Sequence, residues 1–132
     1  MSRYLLDTNT VSQFVRGHPA VDRHVAQVPM ASLAISAITA GELAYGLAKR
    51  PDAVRLHGAV REFLLRVDVL PWDREVAEQY GIARAALQRD GATLAPLDLL
   101  IAAHALSVGT ILVTNDRAFS QVAGLTVEDW TA

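Results

Sequence analysis

Short apolar runs that alternate with longer amphipathic segments restrict the fold of this chain more than any other feature. The runs predicted to be strands are residues 4–6, 32–36, 68–70, 110–114 and 125–127. Helical spacing of apolar residues predicts helices over residues 7–16, 21–28, 37–50, 52–67, 73–89 and 97–108, and a short helix at 117–122. Apolar strands separated by helices predict an α/β fold with a mainly parallel sheet that is covered on both faces.

Length and composition predict one soluble domain over residues 1–132. Apolar residues make up 52% of the chain, which excludes intrinsic disorder, and the absence of cysteine excludes disulfides and thiolate zinc sites. No run approaches the roughly 18 apolar residues of a membrane span, and the N-terminus has no secretory signal, so we expect a cytoplasmic protein. The apolar content is high for a small domain, and we expect part of it to contact a partner or a second copy.

The charge balance restricts how the chain could bind nucleic acid. The net charge is −2, so there is no global cationic field, and such binding requires a local basic patch or a metal ion. One basic cluster extends over two predicted helices and comprises Lys49, Arg50, Arg55, Arg61 and Arg66. A solvent-exposed helix face is the favoured interpretation of this cluster, and contact with a phosphate backbone is the alternative.

Four acidic residues follow the predicted strands in a way that brings them toward one edge of the sheet. Asp7 and Asp116 directly follow strands, Glu42 lies in the helix after the second strand, and Asp98 lies near the start of an apolar helix. Ligands of parallel sheets bind at this carboxyl edge. Each acid also has an ordinary explanation, because Asp7 and Asp116 can cap helices, Asp98 can complement a helix dipole, and Thr39 to Glu42 matches a capping box.

The local context favours a metal site over these explanations for two of the acids. Ser36 is a better N-cap than Thr39, which places Glu42 beyond the first helical turn. Asp98 lies between Leu97 and Leu99, where an ionised carboxylate costs several kcal/mol unless something offsets it. A divalent metal ion offsets it most simply, and carboxylates without histidine or cysteine ligands favour Mg²⁺ or Mn²⁺.

Such a metal ion suits phosphoryl chemistry, because it activates a bound water and neutralises charge on the phosphate. Neutral polar residues next to the acids could orient the ligands or waters, although caps and turns are the more ordinary interpretation of these positions. These residues are Thr8, Asn9, Ser36, Thr114 and Asn115. The acid cluster contains no histidine or lysine, which predicts in-line attack by metal-activated water that leaves a 5′-phosphate and a 3′-hydroxyl.

Four segments of the sequence together resemble PIN-domain ribonucleases, particularly the VapC-type toxins of bacterial toxin–antitoxin pairs. The segments are residues 4–9, residues 35–43 with Gly46, residues 98–105, and residues 112–116 with Phe119. The resemblance implies a PIN fold, which is a three-layer α/β/α sandwich with a short, mainly parallel central sheet. It also implies that Asp7, Glu42, Asp98 and Asp116 form the acidic metal site, with Mg²⁺ or Mn²⁺.

The same resemblance implies an activity and its partners. The expected activity is selective endonucleolytic cleavage of RNA. Members of this family typically form homodimers and are inhibited by a VapB-type antitoxin whose tail occupies the active-site groove.

Three other functions compete with this interpretation. A PIN module could act on DNA, or in RNA processing, without an antitoxin, and a catalytically silent binding scaffold would share the same sequence pattern. A receiver-like phosphoacceptor domain has a similar size and acidic pocket, but it needs a lysine that reaches the pocket from the end of a strand. The only lysine, Lys49, lies at the end of a predicted helix, which argues against a receiver domain.

Overall fold

A computed structural model describes residues 2–132, and the predicted domain start at Met1 lies outside the described residues. Within residues 2–132 there are five strands: β1 Tyr4–Leu6, β2 Leu33–Ser36, β3 Asp68–Leu70, β4 Ile111–Val113 and β5 Val127–Glu128. The same residues form six α-helices: α1 Thr8–Val15, α2 Pro19–Ala26, α3 Ala37–Ala48, α4 Val54–Arg66, α5 Arg74–Arg89 and α6 Pro96–Val108. Short 3₁₀ turns occupy Met30–Ser32 and Arg117–Gln121. The predicted alternation of strands and helices is confirmed.

The strands form one sheet in the order β3-β2-β1-β4-β5, and every pairing in it is parallel. The chain passes from β1 to β2 and β3 on one side, and then returns to place β4 on the other side of β1. In register, Leu5 pairs with Leu112 and Leu6 with Val113. This reversal between β1 and β4 creates a topological switch point, where ligands of open α/β sheets usually bind.

Both faces of the sheet are buried because alternate residues of each central strand point to opposite sides. Leu5, Ala34 and Leu112 pack with residues of α5 and α6. Their neighbours Leu6, Ile35 and Val113 pack on the other side, with residues of α1, α2 and α4 such as Val11, Val21 and Phe63. The result is the predicted three-layer α/β/α sandwich. Each fully buried aliphatic side chain contributes about 1.5–3 kcal/mol relative to an exposed one.

Several predicted boundaries are wrong by two residues, including the ends of α2 and α3, at Ala26 and Ala48, and the start of α4, at Val54. The starts of α2 and β5 differ for local reasons. Helix α2 begins at Pro19 and not at residue 21, because proline already has the backbone angle of a first helical position. Strand β5 is Val127–Glu128 and not residues 125–127, because the chain turns at Gly124 with φ of +80° and reaches β4 only at Val127.

The helix starts and ends follow ordinary capping chemistry. Ser36 caps α3, as predicted, because its Oγ accepts a hydrogen bond of 3.1 Å from the backbone N–H of Ile38. Helix α6 ends at Gly109, whose φ of +70° is a left-handed conformation that glycine adopts without strain. No helix within residues 2–132 is long and apolar enough to cross a membrane.

Candidate active site

Asp7 lies at the switch point between β1 and β4. Its backbone N–H donates to the carbonyl of Val113 over 3.0 Å, which ties the end of β1 to the end of β4. Its carboxylate Oδ1 accepts a bond of 2.8 Å from the backbone N–H of Thr10 and so caps α1. Asp7 therefore does cap α1, and this contact holds its side chain at the carboxyl edge of the sheet. Asp7 is only 4% exposed.

Asp116 lies at the end of the neighbouring strand and is exposed. Its backbone N–H donates to the hydroxyl of Thr114 over 3.1 Å, and its carboxylate Oδ1 accepts a bond of 2.9 Å from the backbone N–H of Ala118. Asp116 thus caps the 3₁₀ turn that follows β4. Because β1 and β4 are adjacent and parallel, Asp116 and Asp7 share one edge of the sheet.

Glu42 reaches the site from α3, where it is the sixth helical residue. This position lies beyond the first turn, so the capping-box interpretation of Thr39 and Glu42 is wrong. The hydroxyl of Thr8, in the first turn of α1, donates to Glu42 Oε1 over 2.6 Å, and the hydroxyl of Thr39 lies 3.4 Å from that of Thr8. Thr8 therefore holds the Glu42 carboxylate at the start of α1, next to Asp7.

Asp98 lies in the first turn of α6, two residues after Pro96. Burial raises the pKa of Asp98, and the negative charges of Asp116, Asp7 and Glu42 raise it further. Burial also raises the pKa of Asp7, against the lowering effect of hydrogen bonds from Thr114 and Thr10, and the charge of Asp116 adds to the rise. The fold thus brings the four predicted acids close enough for their charges to act on one another.

No basic side chain neutralises this acidic group in the described part of the chain. The ion pairs found there join Arg3 to Asp68 and Arg66 to Glu62, away from the four acids. Four carboxylates without a cationic partner are a donor set suited to a hard divalent cation, which prefers oxygen ligands. The residues present therefore fit such an ion by their chemistry.

The metal-binding role of the four acids stays a prediction. Within residues 2–132, no three acidic or histidine side chains stand close enough together to ligate a single ion. Like charges repel one another, and hydrogen bonds hold three of these carboxylates in place, from Thr10 to Asp7, from Thr8 to Glu42 and from Ala118 to Asp116.

The five polar residues predicted to support the acids divide into two groups. Thr8 bonds to Glu42, and Thr114 bonds to Asp116 while its hydroxyl lowers the pKa of Asp7. The hydroxyl of Ser36 contacts none of the acids and lies 2.7 Å from Nδ1 of the fully buried His104. Asn9 and Asn115 are exposed, and their side chains form no hydrogen bond with the residues described here.

Two threonines contribute to the site without having been singled out in the sequence. Thr10 supplies the N–H that binds Asp7, and its hydroxyl donates to the Val113 carbonyl over 3.0 Å. Thr39 is fully buried beside Thr8. The spacing from Asp7 to Thr10 is that of an N-cap and its partner, so the contact of Thr10 with Asp7 could have been predicted from the sequence. Thr39 was instead considered as part of a capping box.

Comparison with known proteins gives concordant matches over the whole chain. Residues 4–125 match the PIN domain family. The chain is 38% identical over 132 residues to the tRNA(fMet)-specific endonuclease VapC of Shigella flexneri. This alignment covers 99% of the present chain and 100% of the Shigella protein. The crystal structure of DNA-bound VapBC from Salmonella typhimurium superposes with a TM-score of 0.89 at 36% identity, over 98% of this chain and 99% of that one. VapBC2 from Rickettsia felis, bound to a promoter DNA fragment, superposes with a TM-score of 0.88 at 30% identity, over 96% and 98% of the two chains.

Proposed function

The chain belongs to the PIN domain family, and from this premise we propose that it is a metal-dependent endoribonuclease that acts as the toxin of a VapBC-type toxin–antitoxin pair. The observation that carries the proposal is a fold shared with VapC over nearly its full length, with acidic residues near its switch point that no basic side chain pairs with within residues 2–132. Family membership also rejects the receiver-domain alternative.

The similar proteins indicate the partners of this chain. The relatives are named as an endonuclease specific for tRNA(fMet) and as ribonucleases, which favours an RNA substrate over DNA and makes tRNA(fMet) the first RNA to test. The similar structures are VapBC complexes, which supports a VapB-type antitoxin as the protein partner. We extend the proposal to a homodimer, which would cover part of the exposed apolar surface, and to a cytoplasmic site of action.

Asp7, Glu42, Asp98 and Asp116 would hold the divalent cation, either Mg²⁺ or Mn²⁺. When bound, the ion supplies an activated water and positive charge opposite the scissile phosphate. The protein contributes the placement: Asp7 and Asp116 are set by the ends of β1 and β4, and Thr8 orients Glu42. Burial raises the pKa of Asp7 and of the partly buried Asp98, so an ionised carboxylate at either position gains more from a cation than a fully exposed one does.

The test compares Asp98→Asn with Asp90→Asn as its matched control, because Asp90 is an exposed aspartate at the end of α5. With purified protein, tRNA(fMet) and Mg²⁺, we expect cleavage by the wild type and the control that leaves a 5′-phosphate and a 3′-hydroxyl. Asp98→Asn should lose cleavage by at least about 100-fold, the upper end of what altering supporting residues around a metal costs, while its circular dichroism stays unchanged. Cleavage that survives EDTA, a 2′,3′-cyclic phosphate end, or full activity of Asp98→Asn would refute the assignment.

A further inference from the structure

A narrow cleft runs from Glu42 between α1, α3 and α4. Its volume is about 140 Å³, and Thr8 and Glu42 line it together with Arg16, Lys49 and Arg50. Leu43, Leu47 and Leu56 form an apolar lining. The cleft is therefore continuous with the acidic site at Glu42 and carries three basic side chains.

The three basic residues are not neutralised by carboxylates. All three are exposed, and the ion pairs found within residues 2–132 involve other residues. The Lys49 ammonium lies 4.7 Å from the centre of the Tyr45 ring, a contact that orients it without cancelling its charge. Glu42 lines the same cleft, but its Oε1 accepts a bond from Thr8. A local excess of positive charge thus adjoins the acids in a chain whose net charge is −2.

The positions of these residues at helix ends do not by themselves explain the cluster. Arg16 is the C-cap of α1, Lys49 is the C-cap of α3, and Arg50 follows it. A helix C-terminus favours a nearby cation, which accounts for one basic residue at each end. It does not account for two helix ends that open into the same cleft beside Glu42.

We propose that this cleft binds the phosphates of the RNA strand adjacent to the scissile bond, through Arg16, Lys49 and Arg50. The inference rests on the proposed ribonuclease function and adds the surface that holds the substrate. Arginine and lysine bind phosphate directly, and the apolar lining supports their methylene stems while the charged ends face the cleft. Phosphates held here would approach the acidic site from the side of Glu42.

The charge of the cleft favours a nucleic-acid strand, because phosphates complement the three basic side chains that line it. The structure also divides the basic cluster seen in the sequence. Lys49 and Arg50 line the cleft, whereas Arg66 pairs with Glu62 at 2.6 Å on the exposed side of α4.

The test measures how RNA binding depends on salt in the triple variant Arg16→Gln, Lys49→Gln, Arg50→Gln. The matched control is Arg74→Gln, Arg84→Gln, Arg89→Gln on α5, which packs on the opposite face of the sheet and gives the same net charge. The probe is a fluorescein-labelled single-stranded RNA, titrated with the full chain in EDTA so that it is not cleaved. Each lost phosphate contact lowers the slope of log K against log salt by about 0.7.

We expect the slope of the cleft variant to fall by about 2 and its affinity at 0.1 M salt to fall about 100-fold, if all three contacts are lost. The control should keep most of the slope. An equal loss in both variants would show a general charge effect and overturn the inference. An unchanged slope in the cleft variant would also overturn the inference, and would favour an acidic protein segment as the occupant of the cleft. Cleavage by the wild type with Mg²⁺ distinguishes a failure of the RNA-binding cleft from a failure of the ribonuclease function. A wild-type protein that neither binds nor cleaves RNA would contradict the proposed function itself.

Discussion

Replacing Thr8 with valine tests whether the hydroxyl of Thr8 positions Glu42 for metal binding. The substitution keeps a β-branched side chain of similar shape and removes only the donor of the 2.6 Å bond to Glu42 Oε1. A hydrogen bond to a charged group contributes about 1.5–3 kcal/mol, and the lower value applies here because both side chains are only half-buried. Since about 1.4 kcal/mol corresponds to a tenfold change in an equilibrium constant, we expect about a tenfold effect.

The assay is single-turnover cleavage of a labelled RNA over a range of Mg²⁺ concentrations. For Thr8→Val, the Mg²⁺ concentration that gives half-maximal rate should rise about tenfold, because Glu42 is no longer held in place before the ion binds. Thr8→Ser retains the hydroxyl and should behave like the wild type. Urea unfolding in EDTA should show a loss of about 1.5 kcal/mol for Thr8→Val and a smaller loss for Thr8→Ser.

Two results would refute this reasoning about Thr8. An unchanged Mg²⁺ dependence would mean that the hydrogen bond contributes nothing to the placement of Glu42. A lower Mg²⁺ requirement in Thr8→Val would mean that Thr8 competes with the ion for the carboxylate. In either case the unfolding measurement shows whether the bond exists in solution.

Two further predictions concern stability. Asp7→Asn should raise the urea midpoint at pH 7 in EDTA, because burial raises the pKa of Asp7 and so stabilises the fold only when the group is protonated, while asparagine still caps α1. The stabilisation by protonated Asp7 is complete below the unfolded pKa of 3.8 and is lost as the pH rises through the higher folded pKa. The stability advantage of Asp7→Asn over the wild type should therefore shrink in acid. A difference in urea midpoint that is equal at all pH values would contradict this prediction. Trp130→Ala should cost about 3–5 kcal/mol in urea unfolding, because Trp130 is 2% exposed and stacks on His24 with ring centres 5.3 Å apart. Trp130→Phe should cost less, and a loss below about 1 kcal/mol for Trp130→Ala would show that this contact is not formed in solution.

Much of the architecture was predictable because it depends on local patterns. The strand at residues 4–6 and its following acid were readable from an apolar run that ends at Asp7. The preference of serine for N-caps correctly placed the start of α3 at Ser36 and Glu42 beyond its first turn. Burial of the sheet on both faces followed from strands without polar alternation.

The proximity of the four acids was predictable from the sequence, whereas the contacts that hold them were not. Asp7 and Asp116 follow strands, and their approach required that β1 and β4 be neighbours. Glu42 and Asp98 also depend on how α3 and α6 pack at this edge of the sheet. The hydrogen bond from Thr8 to Glu42 joins residues 34 positions apart, and no local pattern indicates it. Asp7 and Asp116 cap helical turns, so the capping interpretation of these residues is confirmed, while their role as metal ligands stays a prediction.

By itself, the sequence determined the order of strands and helices and the identity of the acids, because apolar periodicity and capping act between residues near one another in the chain. Only the tertiary structure decided which basic residues accompany those acids. Arg16 and Lys49 are 33 positions apart and end different helices, yet they line one cleft with Glu42, whereas Arg66, which the sequence grouped with Lys49, pairs with Glu62. The reason is that the packing of α1, α3 and α4 against the sheet sets distances between residues far apart in sequence, and a charge acts through distance in space.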